Sequence, residues 1–162
     1  MRRYHLSKKE KRVLAKRVAD SLGLKVELDD VEVVIIEGEL RLYLAEGVPF
    51  VAALPDGTLV PHLFLLSRRG HCFLPKIVVD SGAVEPIGRG ADVLAPGVRR
   101  VVGEFKSGAI VAVINESERL AAVARSLYSS EEISQARRGK VALTLHHPND
   151  PLWKLGLSLI RL

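Results

Sequence analysis

Apolar positions recur with a helical period only near the start of the chain. Leu14, Val18 and Leu22 fall at i, i+4 and i+8, with Ala15 and Ala19 beside them, which predicts a helix over residues 7–22 with one buried stripe. Ser7 and Glu10 have the spacing of a capping box, and Gly23 supplies the stop. From Lys25 the period drops to two. Residues 26–28, 31–37, 41–45 and 48–54 predict strands, broken at Asp29-Asp30, Glu37-Gly38-Glu39 and Glu46-Gly47. Pro55-Asp56-Gly57 marks a further turn. Connections this short predict an antiparallel meander with the helix packed on one face. Residues 58–67 read two ways: Pro61 interrupts a strand pattern, and 62–67 suits a short helix. A polar loop at Arg68-Arg69-Gly70-His71 leads to Pro75, where the chain is expected to change domain.

The second half opens on the stretch 76–98. Ile77, Val78 and Val79 form a short apolar run, the pattern of a buried strand. Asp80 and Ser81 offer side-chain oxygens to cap a helix of about two turns, too short to stand alone in water. It is expected to stop near Gly88, where Gly88-Arg89-Gly90 admits backbone angles closed to other residues. A second strand is expected at 91–95, and Pro96-Gly97 suits the centre of a type II turn. Residues 99–102, 109–114 and 141–147 read as strands, with a closing strand at 155–161. Residues 118–128 carry a conflict. Leu120, Val123, Ala124 and Leu127 have helical spacing and the composition favours helix; strand is expected nonetheless, because pairing context overrides propensity there. Ser129 and Glu132 make a second capping box, opening a short helix that ends by Gly139. The fold class is therefore α+β: a helix and an antiparallel sheet in residues 1–75, then a second, β-rich domain with short helices in 76–162.

Composition narrows the class. The 162 residues suffice for one medium or two small domains, and no apolar run approaches a membrane span. Met1-Arg2-Arg3 is basic but no apolar signal segment follows it, so a cytoplasmic location is expected. One cysteine, Cys72, forms no internal disulfide and reads as a small buried hydrophobe. Two Asn, one Gln and one Met beside 27% charged residues suit a thermophile. The net charge of +5 is unevenly spread: residues 1–25 hold nine bases against two acids, and 26–46 hold one base against seven acids. A basic arm followed by an acidic block suits either a phosphate-facing helix or two halves that neutralise each other.

The pattern V-V-D-x-G-A, then R-G-A-D-V, then A-P-G-V within 76–98 resembles the opening of a PUA domain, the small RNA-binding barrel appended to pseudouridine synthases and archaeosine transglycosylases. Further matches are G-E-F-K-S-G at 103–108, S-S-E-E at 129–132, Gly139-Lys140 before a strand, and N-D-P-L-W at 149–153. The lead-in, P-H-L-F-L-L at 61–66 and F-L-P-K at 73–76, resembles the malignant-T-cell-amplified-sequence proteins and the N-terminal part of ligatin, which are translation factors. The resemblance implies an archaeal relative whose residues 76–162 form a PUA-like β-barrel. It implies that RNA is met through the first helix, the loop after it and the adjoining strand. That points to Lys76, Arg89, Gly90, Ala91 and Gly97, with Lys106, Arg137, Arg138 and Lys140. These residue types suit contact with phosphate. Glycines admit a phosphate close to the backbone, turn amides add dipoles, and Arg89 can fork two phosphate oxygens. The implied partners are structured RNA (ribosomal RNA or tRNA), the small ribosomal subunit and a density-regulated-like protein.

Other constellations read blandly. Gly88-x-Gly90 lacks the third glycine and the long helix of a dinucleotide site. His146 and His147 are adjacent on a strand and point to opposite faces, so with Asp150 they make a poor metal site; His146 is instead weighed as a residue of the RNA face. His71-Cys72 lacks an orienting third residue. Glu37, Glu39 and Glu46 fall at turns, where solvated carboxylates are ordinary, and Trp153 reads as core. No cofactor, metal or catalytic residue is expected. Aromatic residues are 5% of the chain, which favours recognition of folded RNA by backbone and shape. Two readings stand: a non-catalytic translation factor, with a ribosome-biogenesis factor as its near variant, and an RNA-targeting subunit for a separate modifying enzyme.

Overall fold

The computed structural model describes residues 1–160 and divides the chain into two compact units. The first comprises Met1–Phe73 together with the stretch from Pro151; the second is Leu74–Asp150. The chain thus returns to its first unit after the second is complete. No helix among the described residues is long and apolar enough to cross a membrane.

The first unit is a five-stranded antiparallel meander, β1 (Arg2–His5), β2 (Val31–Ile36), β3 (Leu40–Ala45), β4 (Val48–Ala53) and β5 (Leu59–Pro61), in sequential order. The expected helix is α1 (Lys8–Leu22), capped by Ser7 with both bonds of the capping box and stopped at Gly23 in the left-handed region. Its buried residues are Leu14, Val18 and Leu22. Leu42, Tyr43 and Leu44 of β3 are all buried, so both faces of the sheet are covered. Tyr43 shares a groove with Leu14 of α1, whereas Leu42 packs with Leu152, Leu155 and Leu159. Because successive strand residues alternate faces, α1 and the helix carrying those leucines lie on opposite sides.

That second cover is α5 (Pro151–Leu159), where a closing strand was expected. Leu152, Leu155 and Leu159 are spaced for a helix face, and α5 lays them on the paired residues Leu42 and Ala52. Arg161, the last residue of the expected strand, lies outside the described residues. α2 (Leu63–Arg69) precedes the end of the unit and packs on β4 beside α5. Buried His62 joins the two helices: its Nδ1 accepts the N–H of Phe64, and its Nε2 donates to the carbonyl of Leu152 at 3.0 Å. Trp153 is half-buried and stacks on His62, with ring centroids 5.7 Å apart. Residues 26–28 form no strand, and β1, unanticipated, pairs along β2. Cys72 is exposed rather than buried.

The second unit is a six-stranded mixed sheet of order β7-β11-β10-β9-β6-β8 wrapped on one core. Its strands are β6 (Lys76–Val79), β7 (Val93–Leu94), β8 (Val98–Val102), β9 (Ile110–Asn115), β10 (Leu120–Ser126) and β11 (Lys140–His146). Among the described residues only β6 and β9 run parallel. Two short helices complete it, α3 (Ser81–Gly88), capped by Asp80, and α4 (Ser130–Gln135), opened by the Ser129–Glu132 capping box. The ambiguous stretch 118–128 contains β10, because β9 and β11 satisfy its backbone on both sides. Its small residues Ala122 and Ala124 fill the core opposite Ile77 and Val113.

Candidate nucleic-acid interface

β7 is an edge strand, and within the run from Arg89 to Gly97 residues 91–95 lie antiparallel beside β11. At one end of this run α3 closes in a Schellman motif. The Gly90 N–H donates to Ile87 and the Ala91 N–H to Pro86 at 3.0 Å each, with Gly90 at φ +108°. Gly90 has a second reason to be glycine, since an added Cβ would stand 3.0 Å from His147 Nε2. The loop differs here from the expected phosphate cradle. The amides of Arg89, Gly90 and Ala91 are all bonded to carbonyls of α3, so the loop offers no free backbone donors for a phosphate. Its positive charge comes from Arg89, whose guanidinium lies 3.7 Å from Glu85 and is largely in solvent.

Arg89 does not stand alone. The β9–β10 hairpin places Arg119 in the same shallow cleft of about 170 Å³, walled also by Glu85, Gly88, Ala121 and Pro148. Asn115 builds that hairpin: its side-chain oxygen accepts the N–H groups of Ser117 and Arg119, while Glu118 takes the left-handed conformation. No local signal marks Arg119, because its neighbour across the cleft comes from a helix some thirty residues away in sequence.

At the other end of the run, the Ala95 N–H donates to the Gly139 carbonyl, which brings exposed Arg137 and Arg138 beside the 3₁₀ turn Ala95–Gly97. That turn replaces the expected type II turn, so Gly97 needs no positive φ. Its smallness matters instead, with an added Cβ 3.3 Å from that of Ala83 at the start of α3. Asp92 staples the edge between the two ends. It accepts the Thr144 N–H and the Lys140 ammonium, both at 2.9 Å, while the Thr144 hydroxyl donates to Ala91. Lys140 foremost, and Thr144 after it, hold the Asp92 carboxyl below the usual carboxylate range against the opposing effect of burial. Lys140 is therefore already engaged, and Arg137 and Arg138 are the freer cations at this end.

Lys76 and Lys106 lie elsewhere. Lys76 opens β6, about 10 Å back along the strand from Val79, and its ammonium donates to the Leu74 carbonyl. Lys106 lines a hollow with Glu104, Phe105, Ser130 and Glu131, beyond the opposite end of β9 from the Arg119 hairpin. His146 does not face the surface. It is fully buried, with Nδ1 bonded to Asp150 at 2.8 Å. Among the described residues no group of three or more His, Cys, Asp or Glu could hold a metal ion.

With this geometry in view, two family models match. Residues 75–148 match the PUA domain, and residues 2–69 match a domain of unknown function, DUF1947. Residues 75–148 form a PUA domain. The fold of the chain is similar to the crystal structure of a PUA-domain protein from Aeropyrum pernix, with TM-score 0.84 and 26% identity over 99% of this chain and 93% of that one. Translation machinery-associated protein 20 of Saccharomyces cerevisiae is 27% identical over 79% of this chain and 74% of its own length. The probable tRNA pseudouridine synthase B of Pyrobaculum aerophilum is 39% identical, over 44% of this chain but 21% of its own length. The likeness to the yeast protein spans both units; the likeness to the synthase covers less than half of this PUA-domain protein.

Proposed function

We propose that this PUA-domain protein is a non-catalytic, cytoplasmic RNA-binding component of the translation machinery that engages small-subunit ribosomal RNA, tRNA or both. The observation that carries the reading is the pairing of Arg89 with Arg119 in one cleft at the end of the β7 edge. Arg137 and Arg138 stand exposed at the other end of that edge. Cations separated along a strand edge suit a phosphate backbone rather than a small anion. The relationship to a translation machinery-associated protein over most of both chains supports the translation context. A density-regulated-like protein is the proposed partner. The segment shared with a tRNA pseudouridine synthase favours a second reading, in which the chain directs a separate modifying enzyme to RNA; a role in ribosome assembly is the near variant of the first.

The test is a binding titration of the purified chain with deproteinised tRNA and small-subunit ribosomal RNA over a range of salt. The expected result is a logarithmic affinity that falls linearly with the logarithm of salt, with the cations of the edge contributing about −2 to −4 to the slope. Absence of binding to either RNA at low salt would overturn the reading.

A further inference from the structure

The first unit carries positive charge that its own fold does not use. Three of the seven acids of its acidic block pair away from α1, Glu32 with Arg3, Asp30 with His5 at 3.0 Å, and Glu39 with Arg41 at 4.0 Å, while Asp29 lines a hollow with Lys8 and Arg12 without an ion pair to either among the described residues. Among the described residues α1 forms an ion pair only within itself, Lys16 to Asp20. Lys11 and Arg17 donate to the backbone carbonyls of Asp29 and Gly57, which tethers the helix to two loops. Lys8, Lys9 and Arg12 are exposed and take part in no such bond among the described residues. The mutual neutralisation that the charge pattern allowed is therefore not how these three are used.

Their placement also works against the helix. Lys8, Lys9 and Arg12 crowd its first turns, where the macrodipole is positive, while its last turn holds no base. The N-terminus is itself closed, because the Glu10 carboxylate accepts the Ser7 N–H and the Ser7 hydroxyl accepts that of Glu10. The Ser7 N–H foremost, and the Ser7 hydroxyl after it, hold the Glu10 carboxyl below its ordinary range. The outward positive field thus belongs to the side chains. One flank of α1 opens a groove of about 380 Å³ walled by Tyr4, Lys9, Val13, Arg17 and Arg41. Tyr4 is 38% exposed and Val13 52%, an apolar floor among three cations and the capping carboxylate of Glu10. Lys8 and Arg12 line a second hollow on the other flank.

We infer that α1 is a second RNA-binding surface, with Lys8, Lys9 and Arg12 on successive phosphates and the Tyr4 ring open to a base in the adjoining groove. The inference rests on the RNA-binding reading above and adds the first unit to the interface. Lys8 and Arg12 stand one turn apart, about 6 Å along the axis, so a chain of phosphates meets the row at several points. A ring beside guanidinium groups suits a base and its phosphate better than it suits a carboxylate-rich protein segment.

The test compares wild type, Lys8→Gln/Lys9→Gln/Arg12→Gln and Arg89→Glu/Arg119→Glu by anisotropy of labelled tRNA across potassium chloride. The expected salt slope of the glutamine variant is shallower by about 2 to 3, with affinity about 100-fold lower near 0.1 M salt. Its melting temperature stays level or rises, since the removed charges opposed the helix dipole. The charge-conserving variant Lys8→Arg/Lys9→Arg/Arg12→Lys retains the wild-type slope. If that variant also loses binding, or if the glutamine variant binds as wild type does, the inference is overturned; the latter result points to an acidic protein segment. A normal glutamine variant beside a weak Arg89→Glu/Arg119→Glu variant removes the inference and leaves the β7 edge standing. The reverse pattern removes the edge assignment and leaves α1. No binding by wild type removes both.

Discussion

Replacing Arg89 and Arg119 together by glutamate is expected to lower affinity for structured RNA by at least about 100-fold near 0.1 M salt, with melting temperature within about 2 °C of wild type. Two attractive contacts become two repulsive ones inside one cleft, next to Glu85, which already contributes a negative charge. The fold does not depend on either side chain. Arg89 is 79% exposed, and its contact with Glu85 at 3.7 Å contributes at most about 0.5 kcal/mol at such exposure. Arg119 is held by its backbone, through the bond from its N–H to Asn115, so the hairpin survives a change of side chain. Thermal melts run beside the binding curves separate the two effects. A double variant that binds normally would remove the cleft from the interface.

Gly156→Ala is expected to destabilise the chain by about 2 to 4 kcal/mol, although alanine ordinarily favours a helix by about 1 kcal/mol over glycine. An added Cβ would stand 2.3 Å from His62 Nε2 and 3.0 Å from Pro49 Cγ. His62 has nowhere to go. It is fully buried, and moving it breaks its bonds to Phe64 and Leu152, leaving buried polar groups unpaired. Denaturant unfolding measures the loss. In the His62→Ala background the same change should cost far less, because the clash is gone and the two sites couple directly. A Gly156→Ala chain more stable than wild type would show that α5 does not sit against His62 as described.

Local chemistry made much of the fold legible. The α1 stripe, both capping boxes and the strands β2, β3 and β4 followed from spacing alone, since each is decided by neighbours in sequence. What escaped was decided by distant ones. Leu152, Leu155 and Leu159 carry a helix period, but a closing strand was expected there because the barrel resemblance extended past Asn149; their partners Leu42 and Ala52 lie a hundred or more residues upstream. β1 was hidden because its four residues are mostly exposed and two of them are arginines, and pairing with β2 rather than burial defines it. The candidate site divides the same way. Arg89 was reached through the family resemblance, and the structure adds that the glycine after it closes α3, with the neighbouring amides bonded to carbonyls of that helix. Arg119 was invisible until the hairpin and α3 met. Lys140 looked free in sequence and is bound to Asp92, 48 positions earlier.

Crosslinking in native lysate, followed by sequencing of the RNA attached to this chain, tests the central claim most directly. The account predicts enrichment of small-subunit ribosomal RNA, tRNA or both, with crosslinked peptides from the Arg89–Gly97 run and the Arg119 hairpin. No enriched RNA at low salt would contradict it and leave the PUA fold here as a surface for proteins.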